Sequence, residues 1–452
     1  MTTLAILSQR RVLNGSKFIL IIIYKTSNKK ILTQKMAFDY ALLTIFSSGL
    51  AINLIYTVIA PFYPIIAEDK GMSNWMLGIV FTMMPVSGCL FTTTIGENLS
   101  FIGRKNTLIG GIILGALSLI ILAFIPNFDI KLFTIWSLIS RAIGGIGMSA
   151  VYIAGFSIIA NDYEKDRERN ISIFEVFSGL GLMLGPAFGS ICFSLFGFSG
   201  IFIASAGLLL TPIPGAWYFI SNKNTLSEIE EDFKSRSLLK RKNILLDISV
   251  ALYSTIVYNF FDPTLGPFLK SEGYSETAIG YVFIVSTFAY TLGSFWLVFI
   301  LERSNKFYLM IASIFTTIIG LLMIGPWEWI LGSASILPII GMCLIAFGGS
   351  LGYVTPLPFM LDEADDIKIA EKTNIYDALS GLFNMSVSLG EIIGPLVAGI
   401  FVEISGFANS CLIMGILGVF LTAWYWTCRS LRCPKAKNKN AGILLQYFPK
   451  SR

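Results

Sequence analysis

Histidine is absent from all 452 residues, and Asp, Glu, Lys and Arg together make up only 13% of the chain, about half the share in a soluble domain. The first absence removes the side chain that titrates near neutrality and the commonest metal ligand. Any coupling to protons has to rest on carboxylates. The second excludes a water-soluble globular fold, because so little charge cannot cover a surface. Cysteine is scarce as well: Cys89, Cys192, Cys343, Cys411, Cys428 and Cys433 fall in apolar segments or beside the C-terminal basic tail, which argues against a disulfide framework. No nucleophile elbow and no phosphate-cradling loop occurs in a soluble segment. No enzyme, cofactor or metal site is expected.

The chain is otherwise apolar, 54% hydrophobic with a mean hydropathy of +0.72. A bilayer span takes about 20 mostly apolar residues, and twelve such stretches divide the chain between residues 38 and 430. Lys and Arg are retained on the cytoplasmic side of a membrane. Of the 33 cations, 29 fall in the two tails and the alternate loops that share one face. Lys70, Lys131 and Lys270 lie on the other face, and Arg141 lies inside a span. The expected fold is an all-α membrane protein with twelve transmembrane helices and both termini cytoplasmic. The net charge of +5 reflects this topology and attraction to anionic lipid, not nucleic acid.

The chain also repeats itself. The run Gly181-Leu-Met-Leu-Gly185-Pro186-Ala-Phe-Gly189-Ser190 of the fifth span returns, 209 residues on, as Gly390 to Gly399 of the eleventh, with Gly394-Pro395 on Gly185-Pro186 and Gly406-Phe407 on Gly197-Phe198. A shift of 204 lays Gly144-Gly145 on Gly348-Gly349. Two pseudo-symmetric six-helix bundles follow, over 37–220 and 244–430, joined by a polar linker at 221–243 and flanked by tails at 1–36 and 431–452. Parallel repeats related by an axis along the membrane normal imply a central cavity with alternating access. Glycines four apart let helix backbones approach, so the two Gly-Pro runs are expected to act as hinge or seal.

Three further motifs carry a family resemblance. The segment Gly96-Glu-Asn-Leu-Ser100-Phe101-Ile-Gly103-Arg104-Lys105 resembles the gating loop Gly-x-x-x-Asp-Arg-x-Gly-Arg-Lys of the major facilitator superfamily, with Ser100 and Phe101 departing from it. Its second-half counterpart keeps acid and base as Glu302-Arg303 but loses the glycine. Arg141-Ala-Ile-Gly-Gly145-Ile-Gly147 is similar to that superfamily's Arg-x-x-x-Gly-x-Gly motif, and the Gly-Pro run to its antiporter signature. The strings Glu175 to Pro186, Asp262 to Leu269 and the run from Tyr376 resemble the B-type branch of solute carrier family 18, vesicular polyamine transporters related to the vesicular monoamine carriers. This implies a major facilitator fold, a small organic cation as cargo, protons as the coupled ion and a vesicular, other endomembrane or plasma-membrane location, with the chain acting as a monomer.

A charge at membrane depth costs at least about 2.5–3.5 kcal/mol, which singles out Arg141, Glu175, Asp262, Asp377 and Glu391. An amine needs fixed negative charge and aromatic faces. Tyr258 and Asp262, four apart on one face of the seventh span with Asn259 adjacent, are the expected cargo site. The alternative for Asp262 is a gate residue beside the Pro263 kink. Asn53 and Tyr56 of the first span, Tyr152 of the fourth, Tyr290 of the eighth, Tyr353 of the tenth and Asn384 of the eleventh are weaker candidates for the cavity wall. Burial raises a carboxyl pKa and a nearby arginine lowers it, so Glu175, with Arg141 and then Glu391, is expected to carry proton coupling. Arg141 is expected to be paired internally, and Glu175 could instead clasp Arg167 or Arg169. The acids Asp362, Glu363, Asp365 and Asp366 suggest a solvated loop. Proton-coupled antiport of organic cations is the leading function. A proton-driven multidrug exporter, or a non-transporting receptor or scaffold on the same fold, is the alternative.

Overall fold

The computed structural model describes residues 39–163, 166–221, 241–301, 304–325, 336–365 and 372–430. Inside lipid every backbone polar group has to find its partner within its own segment, which is why these apolar stretches are helices. Their hydroxyls follow the same rule. Thr44, Ser48, Ser137 and Ser205 each donate to the carbonyl four residues back, so a polar side chain can sit in an apolar helix without a partner from elsewhere.

Among the described residues eleven helices are long and apolar enough to cross a bilayer, and the twelfth crossing is contained in the longest of them. Within Arg167–Leu210 the one non-helical residue is Gly197, at φ 69° and ψ −170°, a conformation that glycine adopts without a Cβ clash. It ends the fifth span and starts the sixth, which Pro212–Phe219 completes. Gly406, with φ 77°, likewise separates the eleventh span (Lys372–Ser405) from the twelfth (Phe407–Ser430). These are the two Gly-Phe pairs of the sequence repeat. The turns that precede the second and eighth spans match as well. Met72 N–H donates to Ala67 and Gly71 N–H to Glu68, while Tyr274 N–H donates to Leu269 and Gly273 N–H to Lys270, the paired bonds of a left-handed helix C-cap.

Helix partners repeat in the same way. In the N-terminal half the first span (Tyr40–Thr57) packs on the fifth, and the third (Arg104–Phe124) on the fourth (Ile130–Asp162). In the C-terminal half the seventh (Lys242–Ser271) packs on the eleventh, and the ninth (Lys306–Ile324) on the tenth (Leu337–Val354). The halves meet where the second span (Asn74–Ile102) packs on the eleventh and the eighth (Glu276–Ile300) on the fifth.

The Gly-Pro runs serve both kinds of contact. A Cβ on Gly181 would lie 2.1 Å from the Leu50 carbonyl oxygen, and one on Gly185 2.0 Å from Thr57 Oγ1. One on Gly189 would meet Val58, and Gly390 and Gly394 press in the same way on Thr255 and Ile256. These glycines bring each span against its own half's first or seventh helix. Other positions at and beyond the prolines face the other half. Pro395 O lies against Gly78 of the second span and Gly399 against Asn74, while Ser190, the counterpart of Gly399, lies against Gly280 of the eighth. Pro186 and Pro395 both stand inside continuous helix.

The expected gating loop is shorter than the motif suggested. Residues 96–102 continue the second span, and only Gly103, at φ 85°, breaks it before Arg104 starts the third. Helix persists because each residue up to that glycine can adopt helical dihedrals. Buried Arg104 pairs with Asp162 at 3.5 Å. Glu302, Arg303 and most of the linker lie outside the described residues, as do Cys433, Asp366 and the side chains of Glu363, Asp365 and Asp377.

Candidate functional site

The polar contacts that join the halves run from the loops opposite the chain termini to mid-depth. Outermost, Lys270 Nζ lies 2.5 Å from Asp69 Oδ2. Beside it Glu403 accepts from the backbone N–H of Asn74 at 2.8 Å, so a carboxylate of one half caps the second-span helix of the other. Glu68, next to Asp69, has its carboxyl pushed above the usual range by burial and by Asp69, against the opposing pull of Lys270. Deeper, Thr82 donates to Ile392 O at 3.1 Å, Thr291 to Met183 Sδ, and Tyr56 to Asn259 Oδ1 at 3.3 Å. Below that level Glu175, Gly179, Gly381 and Asn384 are exposed. Among the described residues, the polar contacts that join the halves thus lie on the distal side and at mid-depth.

The ion pair of this seal is exposed, at 34% and 54%, and such pairs contribute about 0.2–1 kcal/mol. Lys270→Ala is therefore expected to change the apparent KM of transport by less than about fivefold, an effect that shrinks further as salt rises. Initial-rate measurements in proteoliposomes at low and high salt check this.

At the inner end of the seal stands Arg141. It is buried at 4% exposure, with its Cζ 5.7 Å from the ring centres of both Tyr56 and Phe81. Among the described residues no carboxylate reaches ion-pair distance of it, and Nε has no hydrogen-bond partner. The internal pairing expected from sequence is replaced by two aromatic faces, which attract a guanidinium through their quadrupoles. Its charge still acts on Asp262, as does that of Glu391.

Asp262 is half-buried on the seventh span, one turn beyond Tyr258 and Asn259. The Tyr258 ring lies 5.6 Å from that of Tyr290. Asn259 Nδ2 donates to Thr255 O at 2.9 Å, which turns its Oδ1 toward the Tyr56 hydroxyl. Glu391, half-buried on the eleventh span, is an electrostatic neighbour of Tyr56, Tyr152 and Tyr353. Tyr152 exchanges hydrogen bonds with Asn53 and is a neighbour of Glu175 as well. Tyr353 has Tyr290, Glu391, Glu175 and Tyr152 as electrostatic neighbours and sets its ring edge on Phe383.

Asp262, Glu391, Tyr258, Asn259, Tyr56, Tyr152, Asn53, Tyr353 and Arg141 thus form one cluster of hydrogen-bonded and electrostatic neighbours between the halves. Glu175 is exposed on the fifth span and forms no ion pair with Arg167 or Arg169 among the described residues. Asn384, in register with it by the repeat, is also exposed. Phe81 and Phe383 carry no signal in the sequence, since a phenylalanine that faces a cavity is spelled like one that faces lipid. The cluster offers two carboxylates, several phenol rings and one arginine without an acid partner in contact. Such a set can hold a cation and exchange it for a proton.

Residues 42–370 match the Major Facilitator Superfamily. The chain is 27% identical to the MFS-type transporter SLC18B1 of Rattus norvegicus, over 88% of this chain and 89% of that one. It is 23% identical to the synaptic vesicular amine transporter of Mus musculus, over 86% and 73%. Among solved structures, the nucleoside transporter NupG superposes with a TM-score of 0.67 at 13% identity, covering 86% of this chain and 98% of that one. A bacterial homologue of the human lysosomal transporter Spinster, in an inward-facing and occupied conformation, superposes at 0.66 and 14%, covering 86% and 96%. With two six-helix halves joined by polar contacts on the distal side and at mid-depth, and the family's match over most of its length, the chain belongs to the Major Facilitator Superfamily of membrane transporters.

Proposed function

We propose that the chain is a proton-coupled antiporter of small organic cations, polyamines or monoamines, which it takes up on the terminal, cytosolic face and releases on the distal face. The carrying observation is the pairing of Asp262 and Glu391 with the Tyr258, Tyr290 and Tyr353 rings in a cavity whose one cation, Arg141, is held by aromatic faces. With both carboxylates ionised the cavity has a net negative charge, and a desolvated ammonium is drawn to it and to the ring faces. The name of one similar protein, the synaptic vesicular amine transporter of Mus musculus, supports the same cargo class.

The exchange follows from charge balance. An empty cavity with ionised acids is costly in a low dielectric, so it closes with either the cargo or protons on the carboxylates. Cargo arrives from the terminal face past Glu175, and the halves rock until the distal seal parts. A proton from the distal compartment then takes Glu391, the cavity loses its net negative charge, and the ammonium leaves. The cavity, now neutral with Asp262 balanced by Arg141, recloses and gives its proton back on the terminal side.

The test is uptake of radiolabelled spermine into proteoliposomes that have an acidic interior. Accumulation that collapses when a protonophore dissipates the gradient is expected. Uptake of spermine, and of monoamines tried beside it, that does not depend on the gradient would sink the reading.

A further inference from the structure

We propose that Tyr56 is a positioning residue: bonded to Asn259 while the distal seal is closed, it holds Arg141 away from Asp262, and when that bond breaks Arg141 is freed to pair with Asp262 and displace the cargo. This rests on the reading of Asp262 as the cargo carboxylate.

Four observations carry it. The Tyr56 hydroxyl reaches across the molecule to Asn259 Oδ1 at 3.3 Å, between residues 9% and 5% exposed, so water does not compete for the bond. The orientation of the Asn259 amide is set by its donation to Thr255 O, which leaves the phenol one geometry. The same phenol ring is one of the two faces against the Arg141 guanidinium. Finally, Arg141 Nε is buried without a partner, while the opposite charge of Asp262 lies within electrostatic reach but outside contact. Opposite charges at this depth attract strongly, and something has to keep them apart.

The location of the bond makes the device directional. Tyr56 and Asn259 stand just inside the close approach of Pro61 O to Gly266, on the first and seventh spans, so the bond belongs to the distal seal and is lost when the seal opens. While it is made, Asp262 is available to a cation from the terminal side. Once it is lost, Arg141 competes for that carboxylate on the side where cargo is to be discharged. Tyr56 then acts on loading and unloading through Arg141, without contact to the cargo.

The test is equilibrium binding of radiolabelled spermine to the full-length protein in nanodiscs, which needs no turnover, with thermal unfolding as a check that each variant is folded. Tyr56→Phe keeps the ring and loses the bond, and is expected to weaken binding about fivefold. In an Arg141→Gln background, or Arg141→Met if that folds better, the same change is expected to have no effect, because the competing charge is gone. The inference is overturned if Tyr56→Phe binds as the parent does, if its effect is undiminished without Arg141, or if removal of Arg141 alone abolishes binding. Asp262→Asn separates the two levels. If it binds spermine normally the cargo reading fails, whereas lost binding there with an unaffected Tyr56→Phe leaves that reading intact and removes only the role of Tyr56.

Discussion

Asp262→Asn is expected to reduce gradient-driven spermine accumulation at least about thirtyfold, since truncating one partner of a buried charge pair costs about 2–5 kcal/mol and each 1.4 kcal/mol is a factor of ten. The amide keeps the shape of the side chain and its place one turn beyond Asn259, so the seventh span, whose packing rests on Phe260, Phe261 and Leu265, should be undisturbed. Asp262→Glu keeps the charge on a stem one methylene longer and is expected to retain transport within about tenfold of the parent. Uptake and binding measured side by side decide the matter. An asparagine variant that accumulates spermine within about threefold of the parent would move the cargo site to Glu391.

The second large effect is expected at a residue with no polar atom beyond its backbone. A side chain on Gly78 would begin 2.4 Å from the Pro395 carbonyl oxygen and 3.2 Å from Gly399 Cα, both on the other half. Backbone cannot move aside as a flexible side chain can, and an overlap of this kind outweighs the few kcal/mol that separate the states of an alternating-access protein. Gly78→Leu should therefore fold, because the clash lies between halves, and yet be unable to close the distal seal. Transport should be lost. Ile65, 1% exposed and packed beneath Gly266, supplies the readout. In a background without native cysteines, Ile65→Cys should react with an impermeant maleimide from the distal side about tenfold faster when Gly78→Leu is present. An unchanged labelling rate together with retained transport would show that the seal is made elsewhere.

The scarcity of polar groups in the site is what makes both effects large. Three charges and a handful of phenols lie together at buried and half-buried positions, and each lost interaction there leaves a partner unsatisfied. At the exposed Lys270–Asp69 pair the same operation is cheap, because water replaces what is removed.

Much of this was legible before any coordinates. Glycine pairs at fixed spacing, Gly197 with Gly406 and the two Gly-Pro runs, revealed the duplication, because left-handed turns and close helix crossings admit almost no other residue. The cost of charge in lipid singled out Arg141, Asp262 and Glu391. The continuation of helix through 96–102 was not legible, since only the dihedral of Gly103 decides where the second span ends. Nor was the state of Arg141: an isolated arginine in a span predicts an acid partner, and the structure supplies Tyr56 and Phe81 instead.

By itself the sequence determined the membrane class, the number of crossings, the repeat and the residue types that bear charge, since all of these follow from local composition and from spacing within one helix. Only the tertiary structure decided on which side the halves meet and which charges are in contact. It alone joined Tyr56 to Asn259, 203 residues away, and Glu403 to Asn74, 329 residues away. Those pairings depend on how two halves dock, and a docking geometry leaves no period in the chain.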